Sequence, residues 1–262
     1  MQLLMPGAET MPLLEVRGVA KRFGSVEALR GVDLRVHAAE VVALLGDNGA
    51  GKSTLIKTIS GVHQPDSGEI LVLGKAVAIP SPRAASALGI ETVYQDLALC
   101  DNLTVVQNLF LGRELRRFSG WPLRWVPARR QMVERATEVV RQLGTTLPSL
   151  HSQIGTMSGG QRQAIAVARA MVWGSRLVIL DEPTAALGVE QTANVRRVIR
   201  NLRASGLGVI LITHNMQDAF ALADRIVVMR QGRAITEMDP KVVTPDQVVG
   251  AITGGSAISM EP

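Results

Sequence analysis

Gly46-Asp47-Asn48-Gly49-Ala50-Gly51-Lys52-Ser53 is the stretch on which the fold turns. It fits the pattern G-x-x-x-x-G-K-[ST] and lies between residues 40–45, which read as a strand, and residues 52–60, which read as a helix stopped by Gly61. Glycines let backbone N–H groups converge on phosphate oxygens, the helix N-terminus adds a positive dipole, and Lys52 supplies a full charge. The Ser53 hydroxyl suits Mg²⁺, and Thr54 extends the set of binding candidates into the helix. A glycine turn capping an ordinary helix is the bland alternative. The strand before the loop and the helix after it weigh against that alternative.

Working outward, Leu177-Val178-Ile179-Leu180-Asp181-Glu182 is an apolar strand ending in two adjacent carboxylates. Alone, such a pair is as readily a solvated loop. In a parallel sheet, strand ends open onto the ligand crevice, so both acids are expected beside the phosphate loop. Asp181 suits Mg²⁺, directly or through water, and Glu182 suits the base or positioner of an attacking water. A third signal is Ser158-Gly159-Gly160-Gln161, which opens another helix. Serine with glutamine three residues on makes a capping box, an ordinary structural device. Two glycines straight after the cap are harder to explain that way, because each weakens a helix by up to about 1 kcal/mol relative to alanine. Bare backbone donors suit a phosphate.

The rest of the chain frames these elements. Strands are expected at residues 14–19, 28–36, 69–73 and 90–94, and uninterrupted apolar runs at 177–180 and 208–213 read as buried parallel strands. Helical periodicity replaces them over residues 95–154. Its clearest helix is expected to start at Pro127 and to carry Met132, Val133, Ala136, Val139, Val140 and Leu143 on one face. A hairpin of residues 225–229 and 233–237 turns at Gln231-Gly232, and a short helix follows Thr244-Pro245. The expected organisation is one domain over 11–252, with a nucleotide-binding core from 11–94 and 155–252, a helical subdomain at 95–154, and flexible termini at 1–10 and 253–262.

Composition narrows the partners. With 262 residues, 47% of them hydrophobic, the chain can build a substantial core. No stretch approaches the roughly 18 consecutive apolar residues that cross a bilayer, and the first sixteen residues carry Glu9 and Glu15 without a basic leader. One cysteine, Cys100, forms no internal disulfide. A cytoplasmic location is expected. The net charge of +5 calls for an anionic partner, and an aromatic content of 3% disfavours single-stranded nucleic acid, which needs stacking platforms.

With these motifs in order, the sequence resembles the ATP-binding subunits of ABC transporters over residues 13–250. Gly46 to Ser53 matches the Walker A loop, Leu177 to Glu182 the Walker B strand, and Met157-Ser158-Gly159-Gly160-Gln161 the signature L-S-G-G-Q with methionine for leucine. The resemblance implies an α/β P-loop NTPase core, a mainly parallel sheet with helices on both faces, plus an N-terminal antiparallel β subdomain and an inserted α-helical subdomain. It implies ATP and Mg²⁺ as ligands. Gln95 corresponds to the Q-loop glutamine near Mg²⁺ and water, His214 to the switch histidine at the γ-phosphate, and Phe23 to the adenine-stacking aromatic. Two copies are implied to pack head to tail, each ATP lying between one phosphate loop and the other copy's Ser158–Gln161. Where the family has S-A-L-D after Thr184, this chain has Ala185-Ala186-Leu187-Gly188, without the last carboxylate.

The runs Gln95 to Leu99, Asn102 to Val105 and Glu182 to Leu187 look most like those of bacterial importers of ribose, xylose or fructose. That likeness implies integral membrane permease subunits, indirectly a periplasmic or extracellular substrate-binding protein, a place on the cytoplasmic face of the inner membrane, and no nucleic acid. The alternative is a soluble ABC ATPase working on ribosomes or DNA, though such proteins usually fuse two units or carry long coiled-coil insertions. One local feature stands apart: Arg113, Arg116, Arg117, Arg124, Arg129 and Arg130 cluster around Trp121 and Trp125, suiting anionic lipid, a channel subunit or simply solvent.

Overall fold

The computed structural model describes residues 11–116, 127–145, 147–185 and 187–254. Two sheets form. An antiparallel sheet pairs β1 (Leu14–Phe23) with β2 (Val26–Val36) on one side and β4 (Ser67–Val72) on the other, with the two-residue β5 (Lys75–Ala76) at its edge. The second sheet runs β10 (Arg233–Met238), β9 (Arg225–Arg230), β3 (Val41–Gly46), β8 (Gly208–Ile212), β7 (Leu177–Asp181), β6 (Ile90–Val93), parallel throughout except for the β9–β10 hairpin.

Side-chain alternation shows why the central strands are apolar at every position. Along β7, Leu177 and Ile179 enter the core shared with the antiparallel sheet and α1 (Lys52–Ile59), whereas Val178 and Leu180 enter a second core under the helices. That second core holds α3 (Val105–Phe110), α4 (Arg129–Gln142), α5 (Gly159–Val172) and α6 (Val189–Ala204). A third, smaller core places α7 (Met216–Leu222) and α8 (Pro245–Thr253) over β3 and β9. Helices therefore cover both faces, as expected.

The helical segment at 95–154 joins the sheet without a break in the core. Val105, Leu109, Phe110, Met132 and Ala136 share one cluster with Val93, Val178 and Val209. The helix expected from Pro127 begins two residues later: Pro127 bridges Arg116, and Ala128 is a cap with no side-chain bond. Its face is the expected one, with Met132, Ala136, Val139 and Leu143 buried and Val133 packed beside them. No sequence expectation covers α2 (Pro82–Ala87), α6 or α7, whereas α3 falls within the segment of helical periodicity at 95–154. No helix among the described residues is long and apolar enough to cross a membrane.

Candidate functional site

Because β3, β6, β7 and β8 run parallel, their C-terminal ends lie on one edge of the sheet. That edge collects sequence candidates from four strand ends: the phosphate loop after β3, Gln95 after β6, Asp181 and Glu182 at β7, and His214 just beyond β8.

The loop's backbone needs its glycines. Gly46, Gly49 and Gly51 stand at φ +152°, +80° and +103°. A Cβ on Gly46 would lie 2.2 Å from the Met229 carbonyl oxygen, and one on Gly51 2.7 Å from that of Ala28. Gly51 caps α1 without a side-chain bond, so the first N–H groups of the helix have no side-chain partner there. Asp47 steadies the loop by accepting from Asn48 N at 2.7 Å, and Ala50 is buried under it. The loop is tied on two sides through the β9–β10 turn: Gly232 N donates to Ala50 O at 3.0 Å, and Arg30 N donates to Gly232 O at 2.8 Å. A cleft of about 630 Å³ opens here, lined by Asn48 to Thr54, by Val26 to Ala28 and Arg30 of β2, and by Gln231 and Gly232. The contributions of Arg30 and of the hairpin turn had no sequence signal, because they are set by tertiary proximity.

Electrostatics concentrate at the same place. Lys52 turns its ammonium back on the loop, donating to Gly46 O at 2.6 Å and Asp47 O at 3.0 Å. Burial pulls its pKa down, against the pull upward from Glu182, Asp47 and Asp181. Burial pushes the Asp181 carboxyl up, reinforced by the charge of Glu182 and opposed by Lys52 and Lys57. Glu182 stands at φ +50°, unusual for a residue with a side chain, and its carboxylate meets His214 Nδ1 at 2.8 Å. His214 is exposed and Glu182 half-buried. Phe23 is 43% exposed and stands outside the core. Its ring meets His63 edge-on at 5.0 Å, and it pairs across the hairpin with Val26 at the cleft.

The second glycine-rich helix start differs in kind. Ser158 Oγ accepts from Gln161 N at 3.3 Å while the Gln161 amide oxygen accepts from Ser158 N at 3.0 Å, a complete capping box. The glycines also have a steric role. A Cβ on Gly159 would lie 2.8 Å from Leu187 Cδ2, and one on Gly160 3.2 Å from Gln191 Cβ, so the start of α5 packs closely on the segment leading into α6. Met157 is buried in the helical core, which accounts for the tolerance of methionine in place of leucine. Ser158, Gly160 and Gln161 border an open cleft of about 520 Å³ shared with Glu190, Gln191 and Arg197 of α6.

Helix α5 also grips the Gln95 turn. Arg169 donates to Ala98 O at 2.8 Å and Leu97 O at 3.2 Å, two residues at φ +45° and +57°. Burial lowers the pKa of that guanidinium, and Arg162 pairs with Asp101 at 2.6 Å nearby. Gln95 itself is exposed. The arginine cluster is only partly visible: Arg117, Trp121, Arg124 and Trp125 lie outside the described residues, as does Ala186. Arg113 is exposed but held, bonded to Glu91 at 3.0 Å and lying over the Trp173 ring, while exposed Arg130 pairs with Glu134 along α4.

A phosphate loop opening one helix, with two acids and a histidine on the neighbouring strand ends, defines a P-loop nucleotide-binding ATPase core. The model of the ABC transporter family matches residues 29–185, and the chain belongs to that family. It is 44% identical over 241 residues to the xylose/arabinose import ATP-binding protein of Sulfolobus acidocaldarius, covering 92% of this chain and 94% of that one. It is 45% identical over 246 residues to the fructose import ATP-binding protein of Rhizobium meliloti, covering 93% and 94%. Among solved structures, an ATP-binding cassette of an ABC transporter in its ADP conformation superposes with a TM-score of 0.78 at 27% identity, over 94% of this chain and 96% of that one.

Proposed function

We propose that the chain binds and hydrolyses ATP to drive a monosaccharide importer, working as a homodimer on permease subunits at the cytoplasmic face of the membrane. The observation that carries this reading is the convergence of the Lys52 loop, Asp181 and the Glu182–His214 pair on one sheet edge. The sugar cargo rests on the names of the two relatives, both import ATP-binding proteins. A substrate-binding protein outside the membrane completes the expected assembly.

The donors fit Mg²⁺. Ser53 and Asp181 are hard oxygen ligands, and a carboxyl whose pKa is raised by burial beside a second carboxylate is stabilised by a cation. Among the described residues no three His, Cys, Asp or Glu side chains cluster as a metal cage. Ser53, Asp181 and Gln95 would hold it, and it would neutralise phosphate charge.

The chain's own groups do the rest. N–H groups of Gly49 to Thr54 and the Lys52 ammonium hold the phosphates, which requires Lys52 to leave its present bonds to the loop carbonyls. Phe23 stacks on the base. Glu182 orients and deprotonates the attacking water, and His214 steadies Glu182 and the outermost phosphate. Ser158, Gly159, Gly160 and Gln161 of the second copy close the site. Steady-state ATP turnover by the wild type, falling about 100-fold or more in Glu182→Gln while ATP binding persists, is the expected result. Turnover unchanged in Glu182→Gln would remove the assignment.

A further inference from the structure

Glu182 occupies the left-handed region, a conformation that persists in a residue with a side chain only where its surroundings over-determine it. Part of the restraint is local, since Glu182 N donates to Ile212 O at 3.0 Å and Ala185 N donates to Glu182 O at 3.1 Å. The rest lies two residues on. Thr184 is buried, and its hydroxyl donates to Oδ2 of Asp218 on α7. Asp218 is itself only 1% exposed. Its other oxygen, Oδ1, takes the Nε of Arg196 on α6 at 2.6 Å, so the carboxylate divides its two oxygens between two elements. Helix α7 is fixed relative to His214 as well, because the adjacent Asn215 caps it by accepting from Gln217 N at 2.9 Å.

The loop after β7 is thus joined twice to the segment that follows β8, once at the surface by Glu182 and His214 and once underneath by Thr184 and Asp218 of α7. We propose that Thr184, Asp218 and Arg196 are positioning residues for ATP hydrolysis, their buried chain of bonds holding left-handed Glu182 in register with His214. The inference rests on the ATPase reading and adds residues outside the set assigned to the nucleotide and the attacking water. A buried ion pair is a poor source of stability compared with apolar packing of the same volume, and its directional bonds are what apolar packing lacks. Thr184 supplies that direction to the catalytic loop, and Arg196 keeps the buried carboxylate oriented.

The test uses full-length protein with ATP and Mg²⁺, measuring kcat, KM and the thermal midpoint. Thr184→Val keeps shape and removes the donor, and a misplacement of the base by about 1 Å corresponds to roughly a 100-fold loss of kcat. KM for ATP is expected to stay within about twofold, and Thr184→Ser, which restores the donor, is expected to recover turnover to within about threefold of wild type. Should Thr184→Val fail to fold, Arg196→Lys gives the second reading, with kcat reduced and KM held. A Thr184→Val enzyme with wild-type kcat, a loss that appears equally in Thr184→Ser, or a loss confined to KM would overturn the proposal. A wild type without turnover would instead overturn the ATPase reading beneath it.

Discussion

The two glycine-rich helix starts, at α1 and α5, share a sequence style and differ in how their orphan N–H groups are met. At α1 the cap is a left-handed glycine with no side-chain bond, and the nearby ammonium bonds to its own loop's carbonyls. At α5 the cap is a serine that already serves the backbone through a reciprocal box with Gln161. The first end therefore presents its N–H groups with no side-chain acceptor, whereas at the second the Gln161 N–H is already taken by the Ser158 hydroxyl. This difference assigns them distinct roles. On the proposed function, the α1 end binds phosphate within one molecule, and the α5 end serves a phosphate carried to it by another copy.

The largest expected effect breaks the symmetry at once. Lys52→Ala should lower ATP affinity of the single chain and turnover by about 100-fold or more, whereas Ser158→Ala should leave ATP binding to a single chain unchanged and reduce turnover alone. Isothermal titration at protein concentrations that keep the chains apart separates the two, and equal losses of affinity would erase the distinction. Next in size is the glycine contrast. Gly46→Ala pushes a Cβ against a backbone oxygen and should cost about 3 kcal/mol of stability in denaturant titration. Gly159→Ala meets only the ends of the Leu187 and Gln191 side chains and recovers helix propensity worth up to about 1 kcal/mol, so its net effect should be near zero.

Legibility in the sequence divided along the same line. The strand, loop and helix around Lys52 were readable because glycine, lysine and serine at fixed spacing have a chemical reason to occur together, and β7 because its apolar run stops at two acids. The capping box at Ser158 was readable too, but not the packing of Gly159 and Gly160 against Leu187 and Gln191, which depends on α6. Helix α6 carries Val195, Val198, Ile199 and Leu202 at helical spacing on an otherwise polar segment and went unread. Asp218 and Arg169 look like ordinary polar residues of a helix. Only the fold shows that one is buried against Thr184 and that the other holds two left-handed residues behind Gln95. Glu182's positive φ has no sequence signature outside glycine.

Smaller effects sharpen the comparison. Loss of the Ser158 cap should cost about 1 kcal/mol of stability in Ser158→Ala, a cost with no counterpart at α1, which has no side-chain cap to lose. For Asp181 the sign is set by its raised pKa. The folded state holds the proton more tightly than the unfolded state, so stability falls as pH rises between the unfolded and the folded pKa and stays lowered above both. Asp181→Asn should therefore raise the thermal midpoint of the nucleotide-free protein at neutral pH, with the gain vanishing in acid, while turnover collapses. The smallest effect concerns Gly188, which caps α6 with no side-chain bond and open space around its Cβ position. Gly188→Asp should add a few tenths of a kcal/mol through the missing cap, read as a slight rise in denaturation midpoint.

A nucleotide shared between the α1 end of one copy and the α5 end of another has a direct consequence for mass. Sedimentation equilibrium of Glu182→Gln, which binds ATP without consuming it, should show the 28.0 kDa chain passing to twice that mass on addition of ATP and Mg²⁺, and remaining single when Ser158→Arg is added to the same chain. A Glu182→Gln chain saturated with ATP that sediments as a single copy at every concentration tested would contradict the account.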